Sequence, residues 1–160
     1  MNDVQVLGAT KSKGTLAEDV AYFCINEMMP RMKTLDICIQ LDKLCDVDGY
    51  CLAVTNREFN LEIEKTLTDD DFITAVCHEM VHVKQFARGE TKDINMFTKQ
   101  WKGTEYLSAY STVSEYLRLP WEKEAYELQE VLCNSYKKNL KKIKKSVYKR
   151  LKIVYNSTIK

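Results

Sequence analysis

The stretch Thr68-Asp-Asp-Asp71-Phe-Ile-Thr-Ala-Val-Cys-His78-Glu79-Met-Val-His82-Val-Lys-Gln85-Phe-Ala-Arg-Gly89 combines a clear structural signal with a dense grouping of reactive side chains. Thr68, three residues before Asp71, resembles an N-cap with a reciprocal acidic partner, and Asp69 and Asp70 suit the positive end of a helix dipole. Phe72, Ile73, Val76, Cys77, Met80, Val81 and Phe86 follow at helical spacing, and Gly89 after Arg88 is a stop signal. The reading is a helix that starts at Thr68 and stops at Gly89. Residues four apart on a helix share a face, so His78 and His82 can present two imidazole nitrogens to one metal ion. Glu79 is offset by about 100° from His78 and is better placed to take a proton from a metal-bound water than to join the metal. The chain holds only two histidines, and both are in this H-E-x-x-H motif.

Outward from that helix, the preceding residues change period. Leu35, Ile37 and Ile39 alternate with polar residues, Tyr50 to Thr55 forms a second run, and Phe59, Leu61 and Ile63 alternate with Asn60 and Glu62. These read as strands of a small antiparallel sheet, with Asn56-Arg57 at a hairpin-like position between the second and third. Before them, Leu16 to Met32 carries apolar residues at three-and-four spacing, which predicts an N-terminal helix. After Gly89, Asp93 to Tyr116 is rich in aromatic and β-branched residues around Trp101-Lys-Gly103 and reads as extended structure and loop, then a short helix. Pro120 suits the first turn of a last helix whose apolar stripe runs through Ala125, Leu128, Leu132, Tyr136, Leu140, Ile143, Val147, Leu151 and Val154. The expected fold class is α+β: a small antiparallel or mixed sheet, an N-terminal helix, the histidine-bearing helix and a long C-terminal helix.

With 160 residues, 45% hydrophobic and 29% charged, the chain fits one soluble domain over 1–160, with a basic helical extension at about 137–160. No apolar run approaches the length of about 20 residues that crosses a bilayer, and Met1-Asn-Asp-Val-Gln is not a secretory leader, so the expected location is cytoplasmic. Six cysteines without C-x-x-C spacing read as free, mostly buried thiols. The net charge of +1 conceals an asymmetry: residues 137–160 hold ten Lys or Arg and no acid, and residues 1–136 hold fourteen basic against 23 acidic residues. The body is therefore −9 and the tail +10.

A catalytic zinc takes three protein ligands, and with no histidine left the third must be Cys, Asp or Glu. Pro120-Trp-Glu122-Lys-Glu124-Ala125-Tyr126 offers two carboxylates at the start of the last helix, and helix geometry leaves Glu122 and Glu124 both open.

At this point the chain resembles the glutamate-zincins, in which a second helix carries Glu in a pattern like E-x-x-A-[DN]. Glu122-Lys-Glu-Ala125 matches, and Tyr126 departs from the usual Asp or Asn. More narrowly, His78-Glu-Met-Val-His-Val-Lys-Gln85, Trp101-Lys-Gly103 and Pro120-Trp-Glu-Lys-Glu-Ala125 look like a group of small, mostly uncharacterised metallopeptidases of phages and bacteria, from about Arg57 to Leu128. The resemblance implies a minimal zincin fold in a bacterial or phage-infected cell. It also implies Zn²⁺ held by His78, His82 and Glu122, with Glu79 activating water, and a peptide or protein substrate lying along an edge strand that is Arg57–Lys65 or its neighbour. The oxyanion-stabilising group that zincins often add would come from Tyr106, Tyr110, Tyr116 or Tyr126.

The lysine-rich tail reads as a solvated helix face or as a contact with nucleic acid, an anionic membrane surface or the acidic body itself. SprT-like proteins, another zincin group, join a related metal helix to DNA binding. The alternative expectation is accordingly a nucleic-acid-associated protease, or a nucleic-acid-binding protein with a structural metal.

Overall fold

The computed structural model describes residues 1–8 and 10–158, with side chains described through residue 147. In chain order the elements are β1 (Asp3–Leu7), α1 (Lys11–Met28), β2 (Asp36–Asp42), β3 (Gly49–Ala53), β4 (Glu58–Glu64), α2 (Asp69–Ala87), β5 (Thr91–Asn95), β6 (Thr98–Trp101), β7 (Thr104–Leu107), α3 (Val113–Tyr116) and α4 (Pro120–Thr158). This is an α+β fold with the three main helices expected.

The first sheet has the order β1-β2-β4-β3. It is mixed rather than antiparallel. β1 pairs with β2 and β2 with β4 in parallel, and only β3 runs antiparallel to β4. The reason lies in the connections: α1 carries the chain from the end of β1 back to the start of β2, as a parallel pair requires, while the short Asn56-Arg57 link closes a β3–β4 hairpin. β3 is thus an edge strand and β4, which spans the alternating run Phe59-Leu61-Ile63, lies inside the sheet. Leu35, Ile37, Ile39, Leu41, Phe59, Leu61 and Ile63 point to the helix-covered face and are essentially fully buried. They form one core cluster with residues of α1, α2 and α4.

Helix α1 begins earlier and ends earlier than the apolar spacing implies. Thr10 caps its N-terminus, accepting from the Lys13 amide, and it stops at Met28 because Pro30 disfavours helical backbone in the residue before it. Met32 therefore lies beyond the helix. Helix α2 matches its reading closely: Thr68 caps it, accepting from the Asp71 amide at 3.3 Å while its hydroxyl donates to Asp71 Oδ2 at 2.7 Å. At the other end the Arg57 guanidinium donates to the Ala87 carbonyl at 2.9 Å, tying the C-terminus of α2 to the start of β4.

β5, β6 and β7 form a separate antiparallel meander. Its second hairpin turns at Lys102 and Gly103, whose φ values of 47° and 88° are those of a type I′ turn, and the glycine accommodates the second at no steric cost. Lys99 reaches back from β6 over the rings of Phe86 and Trp121, joining the meander to α2 and α4.

Helix α4 starts at Pro120 and joins the core through Ala125, Leu132, Cys133 and Tyr136, with Leu128 and Leu140 partly covered and Trp121 buried at its start. Ile143 and Val147, which continue the stripe, are exposed. The stripe positions Leu151 and Val154 lie outside the described side chains. Of the cysteines, Cys24, Cys77 and Cys133 are buried between α1, α2 and α4, Cys38 and Cys51 are half-buried, Cys45 is exposed, and all are free thiols. No helix is long and apolar enough to cross a membrane among the described residues.

Candidate metal centre

His78 and His82 stand one turn apart on α2, on the face turned toward the first turns of α4, and Glu122 descends from α4 to meet them. The three contributing atoms form a compact triangle: His78 Nε2 to His82 Nε2 is 3.2 Å, His78 Nε2 to Glu122 Oε2 is 3.3 Å, and His82 Nε2 to Glu122 Oε2 is 3.5 Å. Among the described residues this is the group of three His, Cys, Asp or Glu side chains arranged to hold a metal ion. Glu124, the other carboxylate of the segment, points elsewhere, to Lys84 at 2.9 Å and Lys102 at 3.2 Å.

The partners of the other ring nitrogens decide which atoms face the centre of the triangle. Gln85 donates through Nε2 to the Trp121 carbonyl and to Glu124 Oε2, which leaves its Oε1 toward His82 Nδ1 at 2.9 Å. Gln129 Oε1 lies 2.7 Å from His78 Nδ1. An amide oxygen only accepts, so each imidazole carries a proton on Nδ1 and turns its Nε2 inward, with a lone pair there when the ring is neutral. Three lone-pair-bearing atoms then face one another within 3.5 Å, and Glu122 Oε2 is buried without a hydrogen-bond donor. Such an arrangement could hold a metal ion.

The surrounding charges agree. Burial alone would raise the Glu122 carboxyl, yet its contacts with His78 and His82 hold it well below the usual carboxylate range. Burial works to lower His82, but the Glu122 and Glu79 carboxylates carry it above the ordinary imidazole value. Glu79 is pushed upward, chiefly by its own burial, with the two imidazoles opposing.

Glu79 does not join the triangle. It lies on the next face of α2 against β3, where Gly49 makes room for it: a Cβ at Gly49 would sit 2.8 Å from Glu79 Oε1 and 2.9 Å from its Cγ. The edge strand thus begins beside the candidate base. Of the four tyrosines, Tyr126 packs edge-on against the His78 ring at 4.8 Å and Tyr116 faces Glu122. Tyr106 packs on Trp121 and Tyr110 on Tyr116. The depression of about 260 Å³ bounded by Tyr50, Leu52, Gln40 and Asn60 is on the opposite, helix-free face of the sheet and takes no part.

Two residues of the site escape a reading of the motif. Gln129 supplies the contact to His78 Nδ1, and Tyr126 packs against the ring instead. The signal for Gln129 was positional, since it follows Glu122 by seven residues, two turns along the same face of α4. Gly49 is visible only once β3 is placed beside α2. Compared with models of known protein families, with curated proteins and with solved structures, the chain matches none. The reading of the site therefore stands on its own geometry.

Proposed function

We propose that the protein is a zinc-dependent peptidase, with Zn²⁺ held by His78, His82 and Glu122 and with Glu79 as general base. The observation that carries this reading is the triangle itself. Its edges of 3.2, 3.3 and 3.5 Å match the edge of about 3.3 Å expected for a tetrahedron with metal–ligand bonds of about 2.0–2.1 Å, the geometry zinc prefers with imidazole and carboxylate donors. Two neutral histidines and one carboxylate also leave a residual positive charge on the ion, as suits a Lewis acid.

When bound, zinc polarises a scissile carbonyl and brings the acidity of water toward neutrality. The chain's own residues supply the rest. The Glu79 carboxylate takes the proton of the attacking water and returns it to the leaving amine nitrogen. Its elevated proton affinity, caused first by burial, suits it to both halves of that task. Gln85 and Gln129 hold the imidazoles in one tautomer and one orientation. The free edge of β3 offers backbone groups to an extended peptide, with Gly49 bringing the start of that strand against the base.

The test combines metal analysis with peptide-library cleavage. Native protein is expected to hold one zinc, which His82→Ala and Glu122→Ala lose. Glu79→Gln is expected to keep the zinc and lose at least a hundredfold in cleavage rate. A native protein without zinc defeats the proposal. Full zinc with no cleavage across a broad library replaces it with a metal-stabilised binding protein.

A further inference from the structure

The metal centre draws Glu122 and Gln129 from the first ten residues of α4, and the core contacts of the helix run from Ala125 to Leu140. Beyond Leu140, the described side chains of the helix, through Val147, are all exposed. Tyr136 is the last fully covered residue of its stripe, Leu140 is half-covered, and Ile143 and Val147 are 58% and 49% exposed. Over the same stretch Lys138, Lys141, Lys142, Lys144 and Lys145 are exposed. Lys137 alone of this group is paired among the described residues, with Asp70 at 2.7 Å.

At about 100° per residue the apolar positions 140, 143, 147, 151 and 154 fall within an arc of about 80°, and the lysines of 137–152 fall in a separate arc of about 160°. The segment is therefore amphipathic in a particular way, with an aliphatic strip beside a face that is cationic at every position of its arc but Tyr148. Any occupant has to satisfy both. A nucleic acid neutralises the lysines but offers nothing to cover Ile143 and Val147. A second copy of the helix covers the strip but sets ten cationic side chains against ten more, with no acid in either tail. A bilayer surface rich in anionic headgroups answers both demands at once, taking the strip into the acyl boundary while phosphates meet the lysines.

We propose that the C-terminal part of α4, from about Leu140 onward, is a membrane-surface docking element. It lies in the headgroup plane of an anionic bilayer without spanning it and tethers the body there.

The experiment is vesicle flotation with the full-length chain. Vesicles of phosphatidylcholine alone are compared with vesicles containing phosphatidylglycerol, at low and high salt. Binding is expected only to the anionic vesicles and is weakened by salt. Each lysine near such a surface is worth about fivefold in partition, so K141E/K142E/K144E/K145E is expected to abolish binding. The decisive variant is I143S/V147S, which leaves charge and the metal centre untouched and is expected to lower partition at least about tenfold. Circular dichroism checks that its helix content is unchanged. Undiminished binding of I143S/V147S overturns the proposal, because the contact would then be electrostatic alone. Binding to duplex DNA without binding to vesicles assigns the helix to nucleic acid instead. A dimer in sedimentation equilibrium that I143S/V147S dissolves, with no vesicle binding, assigns the strip to a second copy.

Discussion

Glu79 and Glu122 reach the same histidine pair from two helices, and the protein treats them in opposite ways. Glu79 is buried beside Gly49, so its charge is costly. Glu122 is also desolvated, but His78 and His82 overcompensate and its charge is favoured. The linkage signs follow. A carboxyl raised in the fold contributes stability below its unfolded pKa and loses it as pH rises through the folded value. A carboxyl lowered in the fold contributes stability above its unfolded pKa and loses it as pH falls through the folded value. In chelator-treated protein at pH 7, Glu79→Gln is therefore expected to raise Tm and Glu122→Gln to lower it. Below about pH 4 the unfolded Glu79 carboxyl is protonated too, so the Glu79 difference closes there, while the Glu122 difference is lost only progressively as pH falls toward its lowered folded value. Thermal unfolding of the two variants across this range checks the pair. A Glu79→Gln protein less stable than native at neutral pH would contradict the burial cost assigned to the base.

At the scale of elements, the α2–α4 interface brings together a candidate metal site from two separate helices. Buried Lys84 of α2 pairs with Glu124 of α4 and with Glu90, and Gln85 bridges from Glu124 to His82. Glu124 is thus a positioning residue for a ligand it never touches. Glu124→Ala is expected to retain one zinc per chain but to bind it about tenfold more weakly, because Gln85 loses one of the two acceptors that hold its amide. Competition against a chelator measures this, and an affinity equal to native would show that the Trp121 carbonyl holds Gln85 unaided. Much of this level was legible beforehand. Caps at Thr68 and Pro120 and unbroken three-and-four stripes announce α2 and α4, since local spacing is what specifies a helix. Which strands pair in parallel was not legible, because it depends on where α1 returns the chain. β1, five residues long with only Val4 and Val6 alternating, offers too little pattern to be seen. The triad was legible in kind but open between Glu122 and Glu124 from helix geometry. What separates them in space is that Lys84, Gln85 and Lys102 hold Glu124 away from the histidines.

On the scale of the whole molecule, charge and burial divide the chain at nearly the same place. Among the described residues the apolar contacts of α4 with the body end at Tyr136, whose ring meets Phe23 of α1 edge-on at 5.4 Å, and at half-covered Leu140. Residues 141–160 hold eight Lys or Arg and no acid, so a chain ending at Leu140 carries −7 in place of +1. Within the tail, Lys137 and Lys141, Lys138 and Lys142, and Lys141 and Lys145 are like-charged pairs four residues apart, each costing a few tenths of a kcal/mol of helix stability. Its described side chains, 141–147, are all exposed, and a segment that repels itself in this way contributes little to the fold, so its removal should cost the body little. Truncation after Leu140 is expected to shift Tm by less than about 3 °C and to leave zinc content and cleavage of small peptides in solution unchanged, while vesicle binding disappears. A large loss of Tm, or of zinc, would mean that the basic helix folds against the acidic body. The division of labour along α4, with its first turns serving the metal centre and its last turns a surface outside the protein, would then fail.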